Sequence, residues 1–290
     1  MALRNRLLGR GDPPVPGDVY GGYRLLEKVA EGRLSALFRG EHVKSGEVVA
    51  VKILSDYGCD VADKLTRKLK KEWEGQRARR LKHRNVVRTL TCGKHHGRYY
   101  LVMEFLPGGN LADLLHTRAR VLRGKKIEIM QQAARGLAYI HSEGIIHRDV
   151  CPRNVMLSAY GVAKIIDFGV AADKGDRIRD TGMRTGRPAY MAPELIRTNR
   201  FNERTDIYAF GVSLYEVTTG RRCVRGSQST FAALAAALKT DIPEPSSVRP
   251  SISPRLERAI MKALEADPRR RYATTDSLLE DLEPLTEEDL

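Results

Sequence analysis

The segment HRDVCPRN, residues 147–154, contains one carboxylate and two arginines. Asp149 follows Arg148 directly, and Arg153 lies four positions further on. If this loop handles phosphate, a positive charge is expected close to Asp149, because phosphate oxygens are anionic. The residue two positions after Asp149 is Cys151, which carries a neutral thiol. The segment therefore leaves open which residue supplies the charge.

Strand-like segments come first along the chain. Residues 23–54 are rich in β-branched and apolar residues and are broken by glycines, and residues 98–105 return to this composition, which is typical of an antiparallel sheet. Between them, residues 64–82 place apolar and long side chains at helical spacing. These side chains are Leu65, Leu69, Trp73, Gln76 and Arg80. The patterns predict a small antiparallel sheet with one inserted helix, preceded by a flexible lead over residues 1–22.

Helical spacing dominates after PGG, residues 107–109. One face of a predicted helix carries Ile127, Met130, Ala134, Leu137 and His141. Further helices are predicted at 205–218, 231–239 and 255–266. The change of pattern divides the chain near residue 106, into units of residues 23–106 and 107–290. The predicted fold class is α+β.

The 290 residues carry a formal net charge of +14, which suits nucleic acid, an anionic membrane or an anionic substrate as a partner. The basic stretch 64–82 contains one aromatic residue, Trp73, whereas nucleic-acid binding generally uses several aromatic platforms. We therefore expect a solvated helix face and no nucleic-acid partner. No apolar run approaches the roughly 20 residues that span a bilayer, so no membrane segment is expected in this chain.

The cysteines Cys59, Cys92, Cys151 and Cys223 are far apart and form no C-x-x-C pair. Neither a zinc site nor a disulfide framework is predicted from such spacing. The pattern fits a reducing compartment, and we expect a cytoplasmic location.

A turn with one glycine and a lysine in a strand are candidates for binding phosphate. In VAEGRLSALFRG, residues 29–40, only Gly32 of the three glycines of GxGxxG is present, so the segment alone also fits an ordinary hairpin. Lys52 lies in the apolar strand VVAVKIL, where an ammonium group needs the surface or an anion. Glu72 and Glu74 on the following helix are both available as its partner.

An acid and an amide form a candidate metal site. Asp167 ends the apolar segment IID, directly before Phe168 and Gly169, and Asn154 lies a short hairpin upstream. Oxygen ligands of this kind suit Mg²⁺, which favours one or two carboxylates together with substrate phosphates.

Taken in order, these segments resemble the eukaryotic-type protein kinases over residues 23 to about 283. The matching segments are Gly32, Lys52, YLVMEFLPGG, HRDVCPRN, IIDFG and AYMAPE. Small-molecule kinases of the aminoglycoside type share the lysine and a related loop, but they lack the APE segment and the DIYAFG that follows it here at 206–211. The resemblance implies a two-lobed fold, ATP as the phosphoryl donor, Mg²⁺ or alternatively Mn²⁺ as the metal ion, and protein substrates, among which the basic surface favours acidic ones.

The resemblance also implies roles for individual residues. Lys52 would hold the α- and β-phosphates and pair with Glu74, which fits the family spacing better than Glu72. Asp149 would orient the substrate hydroxyl and accept its proton. The metal ions would be held by Asn154 and Asp167. The other nucleotide-binding positions would be Val29, Gly32, Leu37, Ala50, Met103, Glu104, Leu106 and Met156.

Two positions depart from the family pattern of serine/threonine kinases. That pattern has lysine two residues after the catalytic Asp and threonine in a G-T-P segment before APE, whereas this chain has Cys151 and Arg187. Either Arg153 or Arg187 is a candidate for the missing cation, and Arg153 is preferred because Pro152 stiffens its loop. Cys151 beside the arginines is also a candidate oxidation site with thiolate character.

The acceptor and the regulation follow from the same resemblance. Pro152 and RPAYMAPE resemble serine/threonine kinases, whereas Arg153 is an arrangement found in many tyrosine kinases, so dual specificity is the alternative. Arg148 implies that a phosphate on the activation segment, at Thr181 or Thr185, is bound by arginine and orders that segment. A pseudokinase that binds partners without transferring phosphate is the second class of function, because the glycine loop and Cys151 depart from the pattern.

Overall fold

The computed structural model describes residues 11–68, 70–176, 187–198, 200–223 and 242–290. Contacts between Cα atoms group the chain into two compact units, the first ending at Pro107 and the second running from Gly108 to Leu290. Within the described ranges, no helix combines the length and the apolar character that crossing a bilayer requires.

The first unit is built on a six-stranded antiparallel sheet with the order β1-β2-β3-β4-β6-β5. The strands are β1 Val19–Tyr20, β2 Tyr23–Glu31, β3 Ser35–His42, β4 Val48–Leu54, β5 Thr89–His95 and β6 Arg98–Glu104. Side chains alternate along β4, so Val49, Val51 and Ile53 enter the sheet core while Ala50 and Lys52 face the other side. The predicted antiparallel sheet is confirmed.

The predicted helix over residues 64–82 is wrong in its extent. The described segments are an α-helix, α1 Asp56–Asp63, one π-helical turn over Lys64–Lys68, and a separate helix, α2 Glu74–Arg80. Trp73 is extended, with φ −81° and ψ 169°, and its ring is buried under the first turn of α2. Gln76 closes this start by accepting the N–H of Trp73 at 3.3 Å. The helical spacing of the sequence is real, but Lys70 has φ +54° and Trp73 is extended, so the described residues between the two segments are not helical.

The predicted flexible lead differs from the structure over residues 11–22. Strand β1 pairs with β2, and Tyr20 is part of the sheet core. Gly11 donates its N–H to the carbonyl of His96 at 3.0 Å and accepts a hydrogen bond from Arg98 at 3.1 Å. A strand only two residues long and a buried tyrosine give little sequence signal, which is why this segment is not predicted. Residues 1–10 lie outside the described residues.

The second unit consists mainly of helices. They are α3 Leu111–His116, α4 Lys126–Ser142, α5 Pro193–Thr198, α6 Glu203–Thr219, α7 Pro245–Val248, α8 Pro254–Ala263 and α9 Thr275–Leu282. Four short strands form two antiparallel pairs, β7 Ile145–Ile146 with β10 Ala172–Asp173, and β8 Val155–Leu157 with β9 Ala163–Ile165. The helices expected near residues 127–141, 205–218 and 255–266 are present as α4, α6 and α8, while the one expected at 231–239 lies outside the described residues.

Helix α6 forms the buried centre of this unit. Most of its residues are buried, as expected of a helix that other elements surround. Asn202 caps its start by accepting the N–H of Arg204 at 2.9 Å. Gly220 ends it in the left-handed region with φ +71°, a conformation that favours glycine. The helix is thus held at both ends and can support the loop that packs on it.

Candidate active site

In the first unit, Lys52 meets an acid on α2. Its Nζ lies 2.6 Å from Oε1 of Glu74, and the Glu74 side chain is 8% exposed. Glu74 is the first residue of α2, where a carboxylate also interacts favourably with the N-terminal end of the helix. Glu72, the alternative partner, instead pairs with Arg80 at 3.1 Å. The ammonium group therefore has the buried anion that its strand position requires.

The nucleotide-binding positions predicted in this unit lie on neighbouring strands. Leu37 is paired with Lys52 across β3 and β4, and Ala50 is paired with Met103 across β4 and β6. The residues of these two pairs are partly buried and share the sheet face of Lys52. Val29 lies on β2 and is 55% exposed. Glu104 is the last residue of β6, and Leu106, two residues later, is buried.

The turn between β2 and β3, which carries Gly32, is held by the start of α1. Ser55 donates from Oγ to the carbonyl of Arg33 at 2.7 Å and from its N–H to the carbonyl of Leu34 at 2.8 Å. The guanidinium of Arg33 lies 4.3 Å from the ring centroid of Tyr57. At Gly58, a Cβ atom would lie 2.1 Å from the Leu34 carbonyl oxygen, so only glycine fits.

Sequence reasoning missed this contact. Its available signal is a serine directly after an apolar strand, at the position of a helix N-cap, with a glycine three residues later. That signal locates the start of a helix, but it does not reveal that the helix packs against the turn of residues 32–34.

In the second unit, Asp206 of α6 holds the start of the catalytic loop candidate. Its Oδ2 accepts the N–H of His147 at 2.7 Å, and its Oδ1 accepts the N–H of Arg148 at 2.8 Å. Nε2 of His141 lies 2.9 Å from the same Oδ2. Arg148 has φ +68°, a strained value for arginine, and the carboxylate stabilises that backbone. The loop is therefore fixed just before Asp149.

The carboxylate of Asp149 accepts hydrogen bonds from two further residues. Asn154 donates from Nδ2 to Oδ2 at 2.8 Å and to the Asp149 carbonyl at 2.7 Å. Arg187 donates from Nη1 to Oδ2 at 3.0 Å and from its backbone N–H to Oδ1 at 3.3 Å. Burial raises the pKa of Asp149, and the positive charge of Arg187 opposes that shift. The carboxylate is thus oriented from both sides.

The preference for Arg153 as the cation near Asp149 is corrected by these contacts. The Arg153 side chain is 59% exposed, and its Nη1 lies 3.8 Å from Oδ1 of Asp113. Residues Pro152–Asn154 form a 3₁₀ turn that buries Asn154 and directs Arg153 outward. Within the part of the chain that the structure describes, Arg187 is the cation that contacts Asp149, while Arg153 faces Asp113.

The expectation that Cys151 has thiolate character is also wrong. The residue is 1% exposed. Burial, followed by the charge of Asp149, raises the pKa of its thiol to about 11, although Arg187 contacts the sulfur. Nearby arginines suggested the opposite in the sequence, but desolvation of the charged form has the larger effect.

Asn154 and Asp167 lie on adjacent segments and fit a hard cation. The N–H of Ile166 donates to the Asn154 carbonyl at 2.9 Å, which places the residue before Asp167 against this asparagine. Asp167 has φ +67° and accepts the N–H of Gly169 at 3.1 Å. Since Asn154 uses its amide nitrogen on Asp149, its amide oxygen is the atom it can offer to a metal ion. One amide oxygen and one carboxylate, completed by phosphate oxygens, suit Mg²⁺.

This combination of segments corresponds to a known domain. Residues 23–282 match the family described as protein kinase domain. The chain belongs to the protein kinase family. Membership confirms the predicted α+β, two-lobed kinase fold, and it implies, as a property of the family, the use of ATP with a divalent metal ion and of protein substrates.

Bacterial kinases are among the relatives of this kinase domain. It is 34% identical over 264 residues to a probable serine/threonine-protein kinase, CPE1738, of Clostridium perfringens. The aligned residues cover 91% of this chain and 38% of that relative. It is 32% identical over 275 residues to the serine/threonine-protein kinase PknB of Mycobacterium tuberculosis, covering 92% and 43%. With PknL of the same species it shares 32% over 281 residues, covering 97% and 69%. The chain thus spans less than half the length of the first two relatives.

The kinase domain also holds a bidentate ion pair between Arg271 and Glu194. Arg271 donates from Nη1 and Nη2 to the two carboxylate oxygens of Glu194, at 2.7 and 2.8 Å, and its side chain is fully buried. The candidate phosphorylation sites Thr181 and Thr185 lie outside the described residues. Arg148, their candidate partner, is 5% exposed. Its guanidinium carbon lies 4.4 Å from the ring centroid of Phe201.

Proposed function

We propose that this kinase transfers the γ-phosphoryl group of ATP to serine or threonine hydroxyls of proteins. The observation that carries the proposal is the partly buried Asp149 carboxylate, which Asn154 and Arg187 orient from two sides. A protein that only binds partners has no need of such a preorganised base. The names of the relatives support the Ser/Thr acceptor, as does Pro152 in the catalytic loop.

In the proposed reaction, the bond between the γ-phosphorus and the ADP oxygen breaks and a bond to the acceptor oxygen forms. Asp149 orients the acceptor hydroxyl and takes its proton. Lys52, fixed by Glu74, binds the α- and β-phosphates. Asn154 and Asp167 are the residues that would hold Mg²⁺, which supplies positive charge to the phosphate oxygens, and Mn²⁺ is the alternative ion. Adenine would contact the sheet face of Leu37 and Ala50.

Transfer of labelled γ-phosphate to generic protein substrates, one basic and one acidic, tests this function. The Asp149→Asn variant is the matched control, since it keeps the size and most hydrogen bonds of the side chain while removing the base. We expect label on serine and threonine with the wild type and a loss of at least about a hundredfold with the variant. Label on tyrosine would indicate dual specificity. Nucleotide binding without transfer would favour the pseudokinase alternative.

Phosphorylation of the activation segment is the proposed form of regulation. The segment runs between Asp167 and Glu194 and contains Thr181 and Thr185. Arg148 precedes the catalytic Asp149, so a phosphate on either threonine would find a guanidinium next to the catalytic loop. Mass spectrometry after incubation with Mg-ATP is expected to show phosphate on at least one of them, and absence from both would contradict the proposal.

Acidic protein segments are the proposed substrates, because the chain has a net charge of +14. A cytoplasmic, reducing location is proposed because Cys59, Cys92, Cys151 and Cys223 are all thiols outside any disulfide, and all but Cys92 are buried. A positional peptide array would test the charge preference and the acceptor residue together.

A further inference from the structure

Arg187 is the cation next to the catalytic base, although it comes from the activation segment. Its Nη1 lies 3.0 Å from Asp149 Oδ2 and also contacts Cys151 Sγ. The side chain is 41% exposed, whereas Cys151 beneath it is 1% exposed. The guanidinium therefore lies between a buried thiol and the open side of the loop.

The neighbouring charges indicate what this guanidinium can do. Burial alone would lower the pKa of Arg187, and the nearby carboxylates of Asp149 and Asp167 raise it, so the group stays positively charged. Among the described residues, it donates hydrogen bonds from Nη1 and from the backbone N–H. An arginine has five N–H donors in a planar fork, so Nη2 and Nε can serve an anion that approaches from the exposed side.

Resting on the function proposed above, we propose that Arg187 provides the positive charge for the transferred phosphoryl group and positions Asp149, while Cys151 packs beneath its guanidinium. The cation that the catalytic loop lacks is thus supplied by the activation segment. The exposed Arg153, held towards Asp113, has no part in this task. Arg187 keeps its proton throughout, and the acceptor proton goes to Asp149.

This arrangement has a structural reason. A lysine at position 151 and an arginine at position 187 would place two cations around one partly buried carboxylate, and like charges repel at this distance. The small neutral thiol avoids that repulsion and leaves room for the larger guanidinium. Cys151 and Arg187 are therefore a matched pair, and changing one should be compensated by changing the other.

Nucleotide binding provides a test that does not depend on turnover. The probes are Mg-ATP and Mg-ADP, and calorimetry gives the ratio of their dissociation constants. Arg187→Thr is expected to reduce the preference for ATP over ADP by about 10- to 150-fold, the usual effect of one charge-assisted hydrogen bond. Arg187→Lys should retain part of the preference. Arg269→Thr, which removes an exposed arginine of the same unit, is the control and should leave the ratio unchanged.

Turnover provides the second test. Arg187→Thr is expected to lower kcat by a similar factor while the KM for the protein acceptor changes by less than about threefold. The double variant Cys151→Lys with Arg187→Thr returns the charge to the catalytic loop and should recover at least about a tenth of the wild-type kcat. Should the double variant fail to fold, the kcat of Arg187→Lys tests the proposal instead. This variant keeps a positive charge at position 187, so its kcat should exceed that of Arg187→Thr.

Several results would overturn the proposal. The first is an Arg187→Thr variant that prefers ATP over ADP as strongly as the wild type. The second is an Arg153→Thr variant that loses as much of this preference as Arg187→Thr. The third is an Arg187→Lys variant whose preference for ATP is as low as that of Arg187→Thr. A wild type that binds Mg-ATP but transfers no phosphate would refute the proposed function alone, because the ratio of dissociation constants still tests Arg187.

Discussion

At the scale of single residues, the thiol of Cys151 illustrates how burial overrides the sign of neighbouring charges. An arginine contacts the sulfur, and such a contact ordinarily favours the thiolate. The residue is 1% exposed, however, and desolvation together with Asp149 raises its pKa to about 11. At neutral pH the sulfur is a protonated, neutral packing atom.

Alkylation should reveal this protonation. With iodoacetamide at pH 8, Cys151 in the native protein is expected to react far more slowly than the partly exposed Cys92, and the rate should rise only as the pH nears 11. Mass spectrometry of native and urea-unfolded samples measures both sites. Equal labelling of the two cysteines at pH 8 would contradict the prediction.

Two ion pairs of similar length should differ widely in their effect on stability. The Arg271 side chain is fully buried and also donates hydrogen bonds to the carbonyls of Glu265 and Arg204. Its removal therefore leaves the Glu194 carboxylate without its positively charged partner. Arg271→Met is expected to lower the free energy of unfolding by about 3 to 5 kcal/mol. Urea denaturation followed by circular dichroism measures this change.

The matched control is the exposed pair of Arg135 and Glu283, whose atoms are 2.8 Å apart. Arg135→Met should cost about 0 to 1 kcal/mol, because solvent screens the pair and both side chains lose conformational freedom in forming it. Similar losses in the two variants would show that burial does not set the contribution of these pairs.

At the scale of secondary-structure elements, helix α1 limits the position of the turn over residues 32–34. The sequence retains one glycine of the usual three in this turn, so fewer of its backbone N–H groups can approach phosphate oxygens without a Cβ atom in the way. Ser55 and Gly58 compensate by holding the turn from outside, through two hydrogen bonds and a backbone approach that excludes any Cβ. The turn that is predicted to bind phosphate is thus held in place by a neighbouring helix.

Gly58→Ala should therefore weaken nucleotide binding. The new Cβ would lie 2.1 Å from the Leu34 carbonyl oxygen, so the turn or the helix must shift. We expect the KM for ATP to rise about tenfold, equivalent to about 1.4 kcal/mol, with a smaller change in kcat. Steady-state kinetics measure both quantities.

A glycine away from this contact provides the comparison. Gly46 lies in the turn between β3 and β4 with φ +71°, and a Cβ atom at this position would have no atom of the described residues within 4 Å. Gly46→Asn tolerates that backbone and should leave the KM for ATP unchanged. A Gly58→Ala variant with the wild-type KM would show that the turn is not held by α1.

Element boundaries were predictable where periodicity decides them and not where one side chain does. Helix α6 and strand β4 follow directly from apolar patterns. The helix expected at 64–82 is not continuous, since Lys70 has a positive φ and Trp73 is extended with its ring buried, and periodicity contains no signal for either. In the site, Lys52 and Asp167 could be located from strand patterns, whereas the contact of Asp149 with Arg187, and the contact of Arg153 with Asp113, depend on the direction of a three-residue turn.

At the scale of the whole molecule, the net charge of +14 is a property that no single contact expresses. Long-range attraction of this kind speeds the encounter with anionic partners and is screened by salt, with a Debye length of about 10 Å at 0.1 M. The order of motifs along the chain predicted the fold class, because it is a property of the complete sequence. The docking of residues 11–22 on the sheet could not be predicted, since Tyr20 is its one buried aromatic residue.

Salt dependence tests the proposed preference for acidic substrates. The KM for a peptide with acidic residues around its acceptor serine is expected to rise several-fold between about 50 and 200 mM NaCl. A peptide of the same length with neutral flanks is the control and should change little. Identical salt responses of the two peptides would contradict the prediction.

Asp206 accepts hydrogen bonds from two backbone N–H groups, and this has a consequence for hydrogen exchange. The amide protons of His147 and Arg148 both point at a carboxylate that is 1% exposed, so solvent reaches them only when the surrounding structure opens. Deuterium uptake at these two amides should therefore be as slow as in the middle of α6, even though they belong to a loop. Exchange within seconds at pH 7 would contradict this expectation.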